Sequence, residues 1–426
     1  MVKIAVVGGG WSGCAAALAA AKAGAEVILF ERTDMLLGTG LVGGIFRNNG
    51  RYTAAEEAIA LGANELFELM DTYSRHKEVD FPGHNHASLY DVTRIEDGAR
   101  TLLARHGVTV KLKSRIRDIE KYGGRIRAII GDDGVIYPCD AYVDASGTAG
   151  PMGNCLRYGN GCAMCIMRCP SFGPRVSMAE RAHVAERNSE KADGSFGAMS
   201  GSCKIKKESL STAVREKLEC DGVLVIPLPV KVRQQAKLGK KACSQYALDA
   251  FADNLIVLDT GHAKIMTPYM DMELLHQVEG FEKARYEDPY AGGFGNSIRY
   301  IGIASCGDDM RAEGVQNLFC AGEKSAPIVG HTEAIITGSL AGHNAVRCVL
   351  DMTYLVLPAT LAVGDFISFA HRRMEEDGGM RVRYTFSGSV YFERMKEKGL
   401  YTTDSSAIYR RVEESGLSQI FARCLV

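Results

Sequence analysis

Apolar and small residues at the start of the chain follow a pattern typical of a strand–helix–strand unit. Residues 3–7 are apolar and mostly β-branched, residues 14–23 are rich in alanine, and residues 26–30 form a second apolar run. Short β-branched runs favour strands, and a longer run of small residues favours a helix. The pattern therefore predicts a strand, a helix that ends near Gly24, and a second strand that reaches Glu31.

Further along the chain, the spacing of apolar positions predicts several more elements. Helices are predicted over residues 53–73, 95–105 and 332–350, and strands near 108–112, 116–119 and 126–130. After Pro358 we predict three short helices. Thr402, Thr403 and Asp404 are suited to cap the last of them, and Gly416 is suited to end it.

The turn between the first strand and the first helix has the glycine spacing of a dinucleotide-binding loop. Gly8, Gly10 and Gly13 fit G-x-G-x-x-G, with a strand before and a helix after. The three glycines would allow a tight turn, close approach of a pyrophosphate, and close helix–strand packing. The helix N-terminus favours phosphate. Glu31 is placed to accept the ribose hydroxyl groups.

Composition narrows the class of protein. The chain has 426 residues, of which 46% are hydrophobic and 24% charged, and its net charge is −1. These values predict a large core and exclude a disordered chain or a globally basic nucleic-acid binder. Thirteen cysteines, an odd number, do not fit a secreted disulfide framework. With neither a signal peptide nor a long apolar run evident, we expect a cytoplasmic protein with no membrane partner.

Two later turns favour FAD over NAD as the dinucleotide. Residues 142–148 and 317–323 each read as a strand that runs into a turn of small residues. Two-dinucleotide-binding-domain flavoproteins use both turns, the second with an acid, here Glu323, near the ribityl–pyrophosphate region. The predicted FAD contacts are Gly8, Gly10, Trp11, Ser12, Gly13, Glu31, Arg32, Ala145, Gly147, Gly322 and Glu323.

This assignment predicts an α/β fold with a discontinuous nucleotide domain. The Rossmann-like FAD domain would comprise residues 1–170 and 292–350, because the late turn must return to the early one. Residues 171–291 would form an inserted α+β substrate domain, and residues 351–426 a small helical C-terminal tail. The glycine-rich segment 34–51 is interpreted either as a loop that passes close to the flavin or as a flexible connector.

The second half of the chain resembles the GidA/TrmFO group of FAD-dependent proteins that modify RNA uridines. The resemblance rests on residues 317–323, 330–334, 338–345 and 357–360, and the chain length is closest to TrmFO. It implies a flavin reduced by NAD(P)H and, in the TrmFO case, a one-carbon unit carried from a folate to uridine. A TrmFO cysteine would fall near Gly43, where this chain has no thiol. Cys203 is a weak match to the second TrmFO cysteine.

Beside the late turn, His331 and Glu333 are candidates to exchange a proton with flavin or substrate. Together with Cys203 they form the predicted catalytic set. An alternative for Glu333 is a structural role at the N-terminus of the predicted 332–350 helix.

A cysteine cluster departs from the family pattern. Cys155, Cys162, Cys165 and Cys169 follow C-x6-C-x2-C-x3-C, with Pro170 next, and the end of this spacing resembles a ferredoxin motif. The cluster could hold an iron–sulfur centre or zinc. It could also be a redox dithiol of Cys162 and Cys165, or a structural loop.

The region 204–241 carries ten basic residues against four acids. It could follow RNA phosphates, in tRNA or rRNA, or bind an anionic folate; the alternative is a solvated face. Two function classes therefore stay open. One is RNA uridine modification, and the other is a metabolic or electron-transfer flavoenzyme with a small-molecule substrate.

Overall fold

A computed structural model provides the three-dimensional structure. It describes residues 1–147, 169–190, 194, 198–200, 203–240, 244–267, 270–287, 297–299 and 302–426. The strands within these ranges are β1 Lys3–Val7, β2 Glu26–Phe30, β3 Ile45–Phe46, β4 Ser74–Phe81, β5 His84–Tyr90, β6 Thr109–Lys111, β7 Ile116–Tyr122, β8 Arg125–Gly131, β9 Ile136–Pro138, β10 Ala141–Asp144, β11 Glu186–Asn188, β12 Ala198–Ser200, β13 Cys203–Ile205, β14 Val223–Pro227, β15 Asn254–Asp259, β16 Ala263–Ile265, β17 Ser297–Arg299, β18 Gly302–Ala304 and β19 Leu318–Cys320.

The helices are named in the same way. They are α1 Trp11–Lys22, α2 Gly40–Gly43, α3 Gly50–Ala60, α4 Glu65–Thr72, α5 Ile95–Arg105, α6 Cys169–Phe172, α7 Met178–Arg181, α8 Thr212–Asp221, α9 Ala250–Asp253, α10 Met272–Leu275, α11 His331–Val349, α12 Ala362–Glu375, α13 Ser389–Glu397 and α14 Ser405–Glu414.

A five-stranded parallel sheet organises the nucleotide-binding half. Its strand order is β19-β10-β1-β2-β6, and each neighbouring pair is parallel. Val6 on the central strand is paired with Val143 on one side and Leu29 on the other. Apart from the edge strand β6 and the exposed first residues of β1 and β2, the strands are largely buried and mostly apolar, as expected for parallel sheets. The predicted α/β fold with a Rossmann-like sheet is confirmed.

Helices α1 and α11 are packed closely against each other beside this sheet. A Cβ atom at Gly338 would lie 2.1 Å from the Ser12 carbonyl oxygen, and one at Gly342 would lie 2.1 Å from that of Ala16. No side chain fits in so short a distance. Glycine at two positions one turn apart on α11, facing the alanine-rich α1, therefore allows the two helix backbones to approach each other.

A second layer faces the carboxyl ends of the parallel strands. Strands β13-β16-β15-β14 form an antiparallel sheet, and β3-β5-β4 form another. Both contribute to one apolar core, in which Ile45 and Leu89 join Phe251 and Met266. The domain boundaries stay a prediction, but this core shows that the second layer combines the 171–291 segment with residues 45–90.

The predicted 53–73 helix is two helices, α3 and α4. The break lies at Gly62, whose φ of 92° is in the left-handed region and which closes α3 with a hydrogen bond from its N–H to the Ile59 carbonyl. A Cβ at Gly62 would lie 3.0 Å from the Ala422 nitrogen, so the C-terminal segment is packed against the break. The periodicity continues across the turn because both helices face the same core.

The three helices after Pro358 are observed as α12, α13 and α14. Asp404 caps α14 by accepting from the N–H groups of Ser406 and Ala407, as its position suggested. The buried Glu57 caps α12 from a distant part of the chain, because its carboxylate accepts from Ala362 N–H and Val363 N–H. The C-terminal helices are therefore packed into the main core rather than standing apart from it.

Candidate functional site

A deep cleft lies at the carboxyl ends of β1, β2 and β10, where ligands bind in open α/β sheets. Its empty volume is ≈ 1620 Å³, including the part open to solvent. The nucleotide-binding half supplies one wall, and the second layer supplies the other. The lining residues that matter below are Gly8, Gly10, Trp11, Ser12, Glu31, Arg32, Gly43, Arg51, Ala145, Gly147, Arg175, Gln245, Tyr246, Lys264, Met266, Glu323 and His331.

The three glycines of the first turn differ in the space around them. Gly8 has a φ of 105°, and a Cβ there would lie 2.3 Å from the Ala145 carbonyl oxygen. At Gly13 a Cβ would lie 1.7 Å from the Gly8 oxygen, so this glycine lets α1 approach β1. A Cβ at Gly10 would meet nothing within 4 Å. Gly10 therefore leaves open space at the N-terminus of α1, where a pyrophosphate would approach the backbone.

Glu31 lies at the end of β2 with its carboxylate in the cleft wall. It accepts from Gly9 N–H at 2.8 Å through one oxygen and from Thr33 N–H at 2.8 Å through the other. These two bonds fix the carboxylate and leave a lone pair on each oxygen, since a carboxylate has about four acceptor sites. The geometry suits the predicted contact with two ribose hydroxyl groups.

The two later turns also meet at the cleft. Ala145, Gly147 and Glu323 line it. Gly322 lies just behind the wall, with a φ of 65°, and its N–H donates to Thr337 Oγ1. A Cβ at Gly322 would lie 2.7 Å from Ser12 Oγ, so Gly322 and Gly13 support the lining without forming it.

The glycine-rich segment 34–51 forms part of the cleft wall between the two layers. Leu37, Gly38, Thr39, Val42 and Gly43 all line the cleft. Two lysines of the second layer hold the segment by its backbone. Lys204 donates to the Leu41 carbonyl at 2.6 Å, and Lys264 donates to the carbonyls of Val42, also at 2.6 Å, and Gly43. These bonds favour the loop that passes close to the flavin over the flexible connector.

His331 is the predicted catalytic residue that does line the cleft. Its Nδ1 lies 3.3 Å from the Tyr90 hydroxyl, which donates its single hydrogen to the Gly40 carbonyl at 2.7 Å. The Tyr90 oxygen therefore accepts from the imidazole, and this contact orients the ring. A Cβ at Gly43 would lie 2.0 Å from His331 Cε1. The imidazole thus fills the space that a side chain at position 43 would need.

Glu333 is placed differently from His331. It is fully buried, is not among the lining residues, and forms an ion pair with Arg51, whose Nε lies 3.1 Å from Oε1. The same carboxylate accepts from Thr385 Oγ1 at 2.7 Å and from Phe386 N–H at 2.9 Å. These contacts support the structural alternative, because they tie the start of α11 to α3 and to the C-terminal region. Proton exchange by Glu333 stays an untested prediction.

Cys203, the third predicted catalytic residue, lies on β13. It is buried and paired with Ile265 in the antiparallel sheet, and it is not among the lining residues. Lys204 follows Cys203 on β13 and is paired with Lys264 on β16. These two lysines are the residues that contact the 41–43 loop. The structure therefore brings His331 to the cleft and places Glu333 and Cys203 behind it.

Four lining residues of the second layer were missed in the sequence. Gln245, Tyr246, Lys264 and Met266 have no motif that marks them, because their position depends on how the second layer faces the parallel sheet. Arg175 was also missed; its Nη1 lies 4.0 Å from where a Cβ of Gly147 would be. A sequence signal was available for Arg51 alone, since it lies at the end of the glycine-rich segment.

The predicted metal ligands cannot be placed. Cys155, Cys162 and Cys165 lie outside the described residues, and nothing is described of the Cys169 side chain. Within the described ranges, there is no group of three or more His, Cys, Asp or Glu side chains suited to hold a metal ion. The same ranges contain no helix with the length and apolar character that a membrane span requires.

The cleft residues fit FAD. The open space at Gly10 provides a site for phosphate, and the oriented carboxylate of Glu31 provides one for ribose. The N-terminus of α11, which has no side-chain cap, provides a site for an electron-rich ring. Among the described residues, the buried Gln245 Oε1 has no hydrogen-bond partner, and Gln245 lines the cleft. A buried acceptor of this kind calls for a donor from a ligand.

Comparisons with known proteins agree with this geometry. A family model described as "glucose inhibited division protein A" matches residues 3–247 and 253–353. Two crystal forms of Aquifex aeolicus GidA are similar in structure, each at 14% identity over 97% of this chain. One has a TM-score of 0.62 and is covered over 76% of its own length, and the other has 0.61 and 78%. No protein with curated annotation matches in sequence. The chain belongs to the GidA family and is an FAD-dependent oxidoreductase.

Proposed function

We propose that this flavoenzyme takes reducing equivalents from NAD(P)H and acts on a uridine base in RNA. Bound FAD would supply hydride chemistry, accepting a hydride from the nicotinamide and making two electrons available to the substrate. The observation that carries the proposal is the position of His331, at the cleft wall that joins the nucleotide-binding half to the second layer. Family membership supports RNA as the substrate class.

The chain's own residues would bind and orient these groups. The N-terminus of α11, at Gly330 and His331, faces the cleft and would stabilise negative charge there. Tyr90 orients the His331 imidazole, which suits it to give or take a proton at the substrate. Lys264 adds a positive charge at the opposite wall while holding the 41–43 loop.

The exposed basic side chains of region 204–241 support an RNA partner, because they are available to contact phosphate groups. Among the basic residues of this region whose burial the structure describes, the exposed ones are Lys206, Lys217, Lys231 and Arg233. Lys204 and Lys207 are instead used within the fold, Lys204 by the Leu41 carbonyl and the buried Lys207 by Asp259 at 2.5 Å. The cationic surface available to phosphate is therefore smaller than the sequence count indicated.

The one-carbon transfer of the TrmFO group is the less favoured form of this activity. The thiol that the resemblance implies near position 43 is absent, and the His331 ring occupies the adjacent space. A small-molecule substrate is the second candidate function. The absence of the thiol favours it, because a flavoenzyme that acts on a small molecule does not need that group. In that case Tyr246, Met266 and the second-layer wall would select a compact planar substrate.

Two measurements test the proposal. Anaerobic NADH or NADPH should bleach the flavin absorbance, and an unchanged spectrum with both would contradict the proposal that NAD(P)H is the reductant.

Filter binding should detect salt-dependent binding of tRNA or rRNA fragments to the protein. Binding should weaken in a Lys206→Glu, Lys217→Glu, Lys231→Glu variant. It should persist in the matched control Arg105→Glu, Lys113→Glu, Arg117→Glu, which reverses three exposed charges on the nucleotide-binding half. Absence of salt-dependent binding would leave the small-molecule function.

A further inference from the structure

A cysteine, a histidine and an aspartate lie in a line beside the FAD-binding turn, outside the cleft. Cys306 Sγ lies 3.7 Å from His371 Nε2, and His371 Nδ1 lies 2.7 Å from Asp308 Oδ1. All three residues are partly exposed. In this order, a thiol, a base and a carboxylate form the arrangement that activates nucleophilic thiols.

The surrounding fold holds the three groups in place. Cys306 follows β18 and forms a bridge with Ala312, which sets its position at the base of the 307–311 turn. His371 lies on α12. Ser368, one turn earlier on the same face, donates to the other oxygen of Asp308. The carboxylate is therefore fixed by two residues of one helix, and it fixes the imidazole in turn.

Charges around Cys306 favour its thiolate. A hydrogen bond from Cys320 and the charge of His371 lower the pKa of Cys306 to about 6, against opposing effects of burial and of Asp309. Burial alone would lower the pKa of His371, but the Cys306 thiolate and Asp308 raise it to about 10. Both shifts favour the thiolate–imidazolium form of the pair over the neutral thiol and imidazole.

Cys320 provides a second thiol, in the apolar cluster against which Cys306 packs. It is fully buried at the end of β19, and its hydrogen bond to Cys306, with burial, raises its pKa well above the usual range. It therefore stays a protonated thiol while Cys306 is ionised. Cys320 lies two residues before Gly322, and Cys306 Sγ lies 3.3 Å from the Ser325 carbonyl, so the two cysteines bracket the turn that supports the cofactor.

We propose that Cys306 is a peroxide-reactive thiolate, with His371 as its proton donor and Cys320 as its resolving thiol. The ligand class is a hydroperoxide. Reduced flavin that reacts with oxygen can generate a hydroperoxide at this protein, and that hydroperoxide would oxidise Cys306. The proposal does not depend on the substrate or reductant of the cleft.

The reaction balances in two steps. The Cys306 thiolate attacks the terminal oxygen of ROOH, so an S–O bond forms and the O–O bond breaks. His371 Nε2–H gives its proton to the departing alkoxide, which leaves sulfenic acid and ROH. The Cys320 thiol then loses its proton and attacks the sulfenic sulfur. An S–S bond forms, the S–O bond breaks, and the departing hydroxide takes up that proton and leaves as water. The two thiols lose two electrons, and the peroxide gains them.

Two exposed cysteines, Cys220 and Cys424, serve as internal controls. FAD-loaded protein is treated with hydrogen peroxide, and each cysteine is followed by mass spectrometry. At pH 6.5 the lowered pKa keeps much of Cys306 as thiolate. After allowance for the lower intrinsic nucleophilicity of such a thiolate, Cys306 should react about fivefold faster than the two control cysteines. Its rate should level off above about pH 7, whereas the rates of the controls should keep rising.

Variants separate the roles. Wild-type protein should form a Cys306–Cys320 disulfide, and Cys320→Ser should accumulate a sulfenic acid at Cys306 that dimedone traps. His371→Gln and Asp308→Asn should each move the midpoint of the Cys306 rate profile upward in pH while the Cys220 profile stays the same. The unchanged Cys220 profile shows that the reagent is intact, and an unchanged flavin absorbance spectrum shows that the fold is. A Cys306 rate and pH profile equal to those of Cys220 in wild-type protein would overturn the proposal.

Discussion

Replacing Glu333 by alanine should destabilise the protein strongly, because Glu333 and Arg51 form a fully buried ion pair. The carboxylate accepts from Arg51 Nε, Thr385 Oγ1 and Phe386 N–H. Alanine would leave Arg51 charged and without its carboxylate, and two further donors without an acceptor. Breaking a buried pair by removing one partner costs about 3–5 kcal/mol. We expect a loss of that size in the free energy of unfolding.

The assay is urea unfolding of the FAD-free protein, because bound cofactor would add its own stabilisation. Glu333→Gln keeps the shape and one acceptor oxygen, so it should lose less than Glu333→Ala. The matched control is Glu26→Gln. Its ion pair with Lys3 is 3.5 Å long and about half exposed, and such surface pairs contribute about 1 kcal/mol or less.

A loss below about 1 kcal/mol for Glu333→Ala would refute this reasoning. Kinetics of Glu333→Gln separate the two roles that the sequence left open. A structural role predicts lower stability, with turnover reduced only in proportion to the folded fraction. A proton-exchange role predicts nearly unchanged stability and a loss of turnover by a factor of about 10²–10⁴.

Three further predictions concern the cofactor, the helix contact and pH. Glu31→Gln should weaken FAD binding about 10-fold or more in a fluorescence titration, because a charged acceptor for ribose becomes a neutral one; equal affinity would contradict the assigned contact. Gly342→Ala should lower the free energy of unfolding by about 1–3 kcal/mol, since a Cβ would lie 2.1 Å from the Ala16 oxygen, while Gly239→Ala, with open space around it, should not. Burial raises the pKa of Glu57 to about 6, so folding favours its protonated form. Its contribution to stability is therefore greatest below about pH 4.5 and is lost as pH rises through 6. The wild-type unfolding free energy, measured from pH 4.5 to 6.5, should fall by about 1.5 kcal/mol more than that of Glu57→Gln; parallel curves would contradict this.

The nucleotide-binding half could be predicted from sequence because its signals are local. The spacing of Gly8, Gly10 and Gly13 depends on backbone clearance within one turn, and that clearance is observed. The helices α5 and α11 were predicted to within one residue at each end, because an amphipathic or small-residue face repeats along them. Nine of the eleven predicted FAD contacts line the cleft.

The second wall of the cleft could not be predicted in the same way. Lys264 and Gln245 acquire their positions from pairing across strands and from a core shared with residues 45–90, which are far away in the chain. Glu333 shows the converse. Its place at the start of a cofactor-facing helix suggested chemistry, but its partners Arg51 and Phe386 lie in distant segments that the local pattern does not specify.

The close contact between α1 and α11 has a consequence for the order of events during synthesis. The phosphate-binding turn at Gly8–Gly13 is made first, but β19 and the glycine face of α11, which complete its surroundings, are more than 300 residues later in the chain. Nascent chains therefore expose α1 and the sheet edge until that late helix arrives. Cofactor loading should therefore wait until α11 has been made, and newly made protein short of flavin should depend most on chaperones.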